Sequence, residues 1–235
     1  MPLGLYLDVS CILVGGILGA VAGKHLPDKL REALPTTFSL VTLGMGILNI
    51  VQTRHLPVVV LALILGMILG TLCGLEKLLR HLGEWVAAVF IRSKSAEAGT
   101  HARNLEFFAI AVILFCTGPT GIYGVMQATM TGDNSLLYSK SLLDIFTAAI
   151  FAANAGIIIS LLSVPMFFVF TAFYLLSGVV QPLLTPIMLA DFSGVGGLLI
   201  LATGLRMAEI KMFRVTDMLP ALLLVMPLSY LWTAF

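Results

Sequence analysis

Charge is what this sequence has least of. Asp, Glu, Lys and Arg make up only 11% of its 235 residues, against 59% hydrophobic residues. A soluble domain carries about 25% charged and 45–50% apolar residues. With a mean hydropathy of +1.06, the shortage excludes water as the main solvent. The few charges nearly cancel, leaving +1, so no basic surface is available and no nucleic-acid partner is expected. Cysteine is scarce too. Cys11, Cys73 and Cys116 stand far apart in apolar runs. No pair has CxxC spacing, which excludes a cysteine metal site, and all three read as small core residues. The four histidines, His25, His55, His81 and His101, fall in loops or surface segments. There is no HExxH, no Gly-x-Ser-x-Gly elbow and no P-loop, so neither an enzyme nor a cofactor is expected. The N-terminus lacks the basic region of a cleavable signal. No soluble domain remains once the apolar segments are set aside. The chain therefore reads as a single transmembrane domain over 1–235.

Its apolar runs approach the roughly 20 residues a helix needs to cross a bilayer. Eight spans are expected, near 4–22, 36–52, 57–74, 105–129, 139–162, 165–185, 192–209 and 217–234. The fold class is all-α, a polytopic membrane helix bundle. Gly15, Gly19 and Gly23 recur four apart in the first span, a close-packing face for a neighbouring helix. Over Glu76–Phe90, Leu78, Leu79, Leu82, Val86 and Val89 recur at helical spacing, with Lys77, Arg80, His81 and Glu84 off that stripe. This predicts an amphipathic helix at the membrane surface with Trp85 near the headgroups, running into a polar linker, the two covering about 75–104. Of the 13 Lys and Arg, all but Arg54 and Lys140 lie in or beside odd-numbered loops. The positive-inside rule then puts both termini outside. "FSLV" at 38–41 and "FSGV" at 192–195 each open a helix that is followed by Leu-Pro and a further apolar run. An inverted repeat would produce such a pair.

Polar positions inside this bundle are the candidate site. "FCTGPTGIYG" interrupts the fourth span at Gly118-Pro119 and Gly121. Proline removes a backbone donor and clashes with the preceding turn. Two readings stand: a discontinuous helix whose exposed backbone binds an ion or polar solute, or a kink filled by the Thr117 and Thr120 hydroxyls. "TGDNSLLYSKSLLD" follows. Asp133 and Ser135 belong to a turn and helix start. Lys140 and Asp144 are four apart and share a helix face. If that helix starts near Ser135, Asp144 lies roughly 13 Å deep. A lone charge there costs roughly 2.5–3.5 kcal/mol, and Lys140 is within reach to pair with it. If the helix starts near Ser139, the pair is shallow and interfacial. Ser135, Ser141, Thr147 and Asn154 extend the polar side of the same helix. Asp8, in the first span, reads either as a site residue or as interfacial. Asp191 is expected to open the seventh helix as its N-cap.

"VGGILGAVAGKHLPDKLR", "FCTGPTGIYG", "TGDNSLLYSKSLLD", "ADFSGVGGLLILATGLR" and "IKMFRVTDMLPALLLVMPLS" together resemble the YqgA-like family of bacterial inner-membrane proteins, a domain of unknown function. The resemblance implies a multi-spanning protein of the bacterial cytoplasmic (inner) membrane. It implies family positions at Gly118, Gly121, Gly132, Asp133, Lys140, Ser141, Asp144 and Gly204. It also implies Asn where this chain has Asp8, which makes Asp8 a poorer candidate for an obligatory acid.

The expected function is a transporter or channel for a small polar solute or ion, sited between the fourth and fifth helices. Its residues would be Gly118, Pro119, Gly121, Asp133, Ser135, Lys140, Ser141, Asp144 and Asn154, with Asp144 as the coupling carboxylate. The alternative is a scaffold or assembly partner with a dry, charge-paired core. The bilayer is the expected partner. Glycine faces suit contacts within one chain as well as within a homo-oligomer.

Overall fold

The computed structural model describes residues 3–22, 28–78, 81, 111–112, 115–116 and 118–234. The described residues contain no strand. The helices are α1 Leu3–Ala22, α2 Asp28–Ile50, α3 Leu56–Cys73, α4 Pro119–Thr131, α5 Ser135–Ala155, α6 Ser163–Val180, α7 Pro186–Met207 and α8 Ala221–Ala234. A 3-10 segment, Gly156–Leu162, joins α5 to α6, and shorter ones, Gln181–Leu183 and Val215–Met218, precede α7 and α8. Six described segments are long and apolar enough to cross a membrane, and Thr36–Ile50 in α2 is a shorter apolar one. Of the expected surface helix, residues 75–78 and 81 are helical. The rest of it, the polar linker and most of 105–117 lie outside the described residues.

Polar and apolar positions are exchanged relative to a soluble protein. Leu18, Val21, Ile64, Leu72, Leu142, Phe168 and Val179 are exposed, while Asp8, Asn49, Lys140, Asp144, Asp191 and Asp217 are buried. Exposed apolar surface of this extent is what lipid covers.

Small residues set the helix contacts. A Cβ on Gly15 or Gly19 of α1 would overlap the carbonyls of Ile145 and Ala149 on α5. The register Gly4 to Leu137, Gly15 to Ile145 and Gly19 to Ala149 makes α1 and α5 parallel neighbours. The expected glycine face is therefore a packing face. Between α2 and α7 the order reverses: Thr53 meets Gly194, Gly46 meets Leu201 and Leu43 meets Gly204. On α3, Gly66 meets Ala221, and Gly70 meets Asp217 in the 3-10 turn before α8. The α2–α3 and α7–α8 hairpins thus face each other with opposite chain sense, the relation an inverted repeat requires.

Two cores result. One joins α1, α5 and α6 and includes Phe115 and Cys116. The other joins α3, α7 and α8. Helix α4 contributes Val125 and Ala128 to the first and Ile122, Tyr123, Met126 and Met130 to the second. Every residue from Gly121 to Ala128 is buried, so α4 is the axis on which both cores lean.

Candidate functional site

Helix α4 begins at a break. Gly118 is extended (φ −61°, ψ 131°) and forms the N-cap, with Pro119 at the first helical positions. Residues 115 and 116 upstream are helical, Gly118 is not, and helix resumes at Pro119. Proline at this position suits a helix start, because its missing N–H would have no intrahelical partner. The amides of Gly121 and Ile122 both bond back to the Gly118 carbonyl. At the other end Gly132 closes α4 in the left-handed region (φ 79°), a conformation glycine adopts without strain.

The next turn is held by side chains. Asp133 Oδ1 accepts from the Ser135 amide at 2.9 Å and the Ser135 hydroxyl at 2.6 Å. Those two bonds hold the exposed Asp133 carboxyl below the usual carboxylate range. Asn134 Oδ1 accepts from the Gly4 amide at 3.2 Å, which ties the start of α1 to this turn. With α5 starting at Ser135, the deeper placement of Lys140 and Asp144 is the one the backbone gives.

Lys140 and Asp144 pair as their spacing predicts, but the pair is a triad. Lys140 Nζ also donates to Asp8 Oδ2 on α1 at 2.8 Å. Asp8 is 0% exposed, Lys140 6% and Asp144 9%. The ammonium lies 5.4 Å from the centre of the Phe170 ring on α6, a cation–π arrangement. Gly121 backs onto the lysine stem: a Cβ there would lie 3.0 Å from Lys140 Cε and 2.5 Å from Phe170 Cζ. The triad thus sits where α1, α4, α5 and α6 meet, one helical turn past the break. Asp8 Oδ1 is buried and has no hydrogen-bond partner among the described residues.

Of the expected residues, Gly121, Lys140 and Asp144 converge. Gly118 and Pro119 form the break above them. Asp133 and Ser135 bond to each other in the turn that leads into α5 at its exposed end. Ser141 is buried, and its hydroxyl bonds back to the Leu137 carbonyl at 2.7 Å, so its polarity is spent within its own helix. Asn154 lies in α5, and its side chain is outside the described set. The residue the expected site omitted is Asp8. Its signal was present: it is the single charge in a 20-residue apolar helix, and a lone intramembrane charge needs a partner on another helix.

Asp191 departs from expectation. Helix α7 starts at Pro186, with Thr185 accepting from the Met188 amide, so Asp191 is not the N-cap. It is fully buried. Its carboxylate accepts from the amides of Arg54 (3.1 Å) and His55 (2.7 Å), contacts His55 Nδ1 at 3.0 Å, and accepts from Ser229 at 2.6 Å. A Thr-Pro pair closer to the loop took the cap, and Asp191 became the anchor of the α2–α3 turn. Nearby, Tyr123 donates to Asn49 Oδ1 at 2.8 Å, joining α4 to α2. A cleft of about 660 Å³ lined by Gln52, Arg54, His55, Pro186, Ile187 and Ala190 opens beside the anchor, well away from the triad.

The family described as "Protein of unknown function (DUF554)" matches residues 3–230. "Uncharacterized protein YqgA" of Escherichia coli (strain K12) is 44% identical over 235 residues, covering 100% of this chain and 99% of that protein. "Uncharacterized membrane protein YdfK" of Bacillus subtilis (strain 168) is 28% identical over 227 residues, covering 94% and 93%. No solved structure matches. Whole-chain similarity to a membrane protein, together with the apolar helices, makes this a membrane protein.

Proposed function

The chain belongs to the DUF554 family, and from that premise we propose that it is a non-enzymatic transporter or channel of the bacterial inner membrane for a small polar solute or ion. The protein crosses the bilayer several times, with both termini on the periplasmic side. The observation that carries this reading is the buried Asp8–Lys140–Asp144 triad set one turn beyond the Gly118–Pro119 break. Apolar side chains of equal volume would hold the helices at lower cost than this cluster of ionisable groups, so packing alone does not account for it. Polar groups maintained at depth next to broken helices are how transporters coordinate their cargo.

The test is flux through the full chain in proteoliposomes. A panel of cations and small polar solutes is applied to the wild type and to Asp144→Asn. Flux carried by the wild type and lost in the variant supports the reading; equal flux in both removes Asp144 from the pathway.

A second reading has its own support. The space beyond Gly121 is filled by Phe170 and the lysine stem, as a dry, charge-paired scaffold requires. It predicts that no solute in the panel moves at all.

A further inference from the structure

We propose that the triad is a proton-binding site in which Asp8 takes up one exchangeable proton on Oδ1, so that transport by this chain is coupled to protons. This rests on the transport reading above and names its coupling ion.

The first ground is charge. Two carboxylates and one ammonium leave the cluster one positive charge short. Among the described residues no other cationic side chain pairs with Asp8 or Asp144. The titratable groups around Asp8 are few. Helix α5 supplies Lys140 and Asp144. Cys11 on α1 and Cys116 upstream of the break are the thiols within electrostatic reach, and neither supplies positive charge. The described parts of α6 and of the 3-10 segment bring no Lys, Arg, His, Asp or Glu. An uncompensated charge in a desolvated site is strongly destabilising, so a site built this way is complete when one monovalent cation is added.

The second ground is the unpartnered oxygen, which says where that cation sits. Asp8 Oδ2 and Asp144 Oδ2 both face Lys140 Nζ. Lys140 is held by both carboxylates and lies over the Phe170 face. A metal ion bridging them would lie against the ammonium and be repelled. A proton on Asp8 Oδ1 needs no coordination shell and leaves both lysine bonds in place. Uptake takes the cluster from one net negative charge to neutral, and release reverses it.

The third ground is access. Asp8 lies one helical turn, about 6 Å, from Gly4, whose amide is tied to Asn134 beside the exposed Asp133. The distance from solvent to the proton site is therefore short on that side.

The test is a pH titration of the full chain in lipid nanodiscs, followed by infrared difference spectroscopy in the carboxylic acid C=O region. The expected result is a protonated-acid band that titrates in the wild type, is lost in Asp8→Asn, and persists in Asp133→Asn. A band unchanged by Asp8→Asn, or one lost only in Asp144→Asn, overturns the assignment. So does release of the proton by added Na⁺ at constant pH, which would make this a sodium site. Asn is the neutral isostere of protonated Asp, so Asp8→Asn should fold and melt no lower than the wild type; failure to fold also counts against the proposal. The measurement needs no substrate. A titrating Asp8 in a chain that moves no solute removes the transport reading and leaves this site standing. Solute movement with a silent Asp8 does the reverse.

Discussion

Gly19 of α1 lies against the carbonyl oxygen of Ala149 on α5, with no room between them for a Cβ. Gly44 of α2 meets nothing within 4 Å in the same direction. The two glycines therefore make opposite predictions. Gly19→Leu must push α1 off α5 and should cost at least about 1–3 kcal/mol. Gly44→Ala should be neutral or stabilising by up to about 1 kcal/mol, since alanine is the better helix former. Thermal unfolding in detergent micelles separates them; equal melting temperatures for both variants would mean that the α1–α5 contact is loose.

Lys140→Met leaves two carboxylates buried without their shared counter-ion. Breaking a buried pair from one side costs about 3–5 kcal/mol. The triple variant Asp8→Asn, Lys140→Met, Asp144→Asn removes the charges together and should recover most of that loss. Chemical unfolding of both proteins checks this. A triple variant no more stable than Lys140→Met would show that packing, not charge, sets the loss.

Asp191 satisfies two amides of the α2–α3 turn and the Ser229 hydroxyl. Asp191→Ala orphans all of them and should destabilise by at least about 1–3 kcal/mol, the cost of an unsatisfied buried donor. The damage should be local first. Limited proteolysis at residues 51–55 should accelerate before the bundle melts, and it should not do so in Asp191→Asn, which keeps one acceptor.

Asp133 gives a pH dependence of known sign. Its carboxyl is held below the usual range by the Ser135 hydroxyl and amide. A depressed folded-state value means a contribution that is fully present above the ordinary carboxylate range. That contribution is lost as pH falls through the depressed value. Asp133→Ala removes the Ser135 hydrogen bonds and should lower stability at neutral pH by about 0.5–1 kcal/mol and by nothing in strong acid, where the two melting curves should merge.

The parallel sense of α1 and α5, the antiparallel sense of α2 and α7, and the Gln181 side chain that donates to the Met130 carbonyl place residues 51–55, 132–134 and 184–185 at the end of the bundle where α1 begins. Residues 74–76 and 208–214 lie at the opposite end. With Cys11, Cys73 and Cys116 changed to Ser, single cysteines at Asp133 and Leu184 should label from one side of the membrane. One at Lys211 should label only from the other. Labelling of Asp133→Cys and Lys211→Cys by the same impermeant reagent without permeabilisation would contradict the helix directions.

Much of this was visible in the letters because the solvent dictates it. Apolar runs of this length with at most one charge have to be helices at membrane depth, and α1 and α3 fall within a residue or so of their expected bounds. The Gly118-Pro119 break is local backbone chemistry and reads directly. So does the Lys140–Asp144 pair, whose spacing is one helical turn. Asp8 stayed open between a site residue and an interfacial one, because its partner is 132 residues away and periodicity carries no information over that distance. Asp191 misled for a related reason. An acid at the edge of an apolar run resembles a cap, and only the fold shows that Thr185 holds that position while Asp191 reaches across to another hairpin.

The pairing of α1 with α5 has a consequence for synthesis. The first helix leaves the ribosome long before the segment carrying Lys140 exists. During that interval Asp8 has no lysine to pair with, so either it carries a proton or α1 stays near the interface until the fifth helix arrives. Biogenesis of this protein is therefore late-closing: the bundle cannot lock before more than half of the chain has been made.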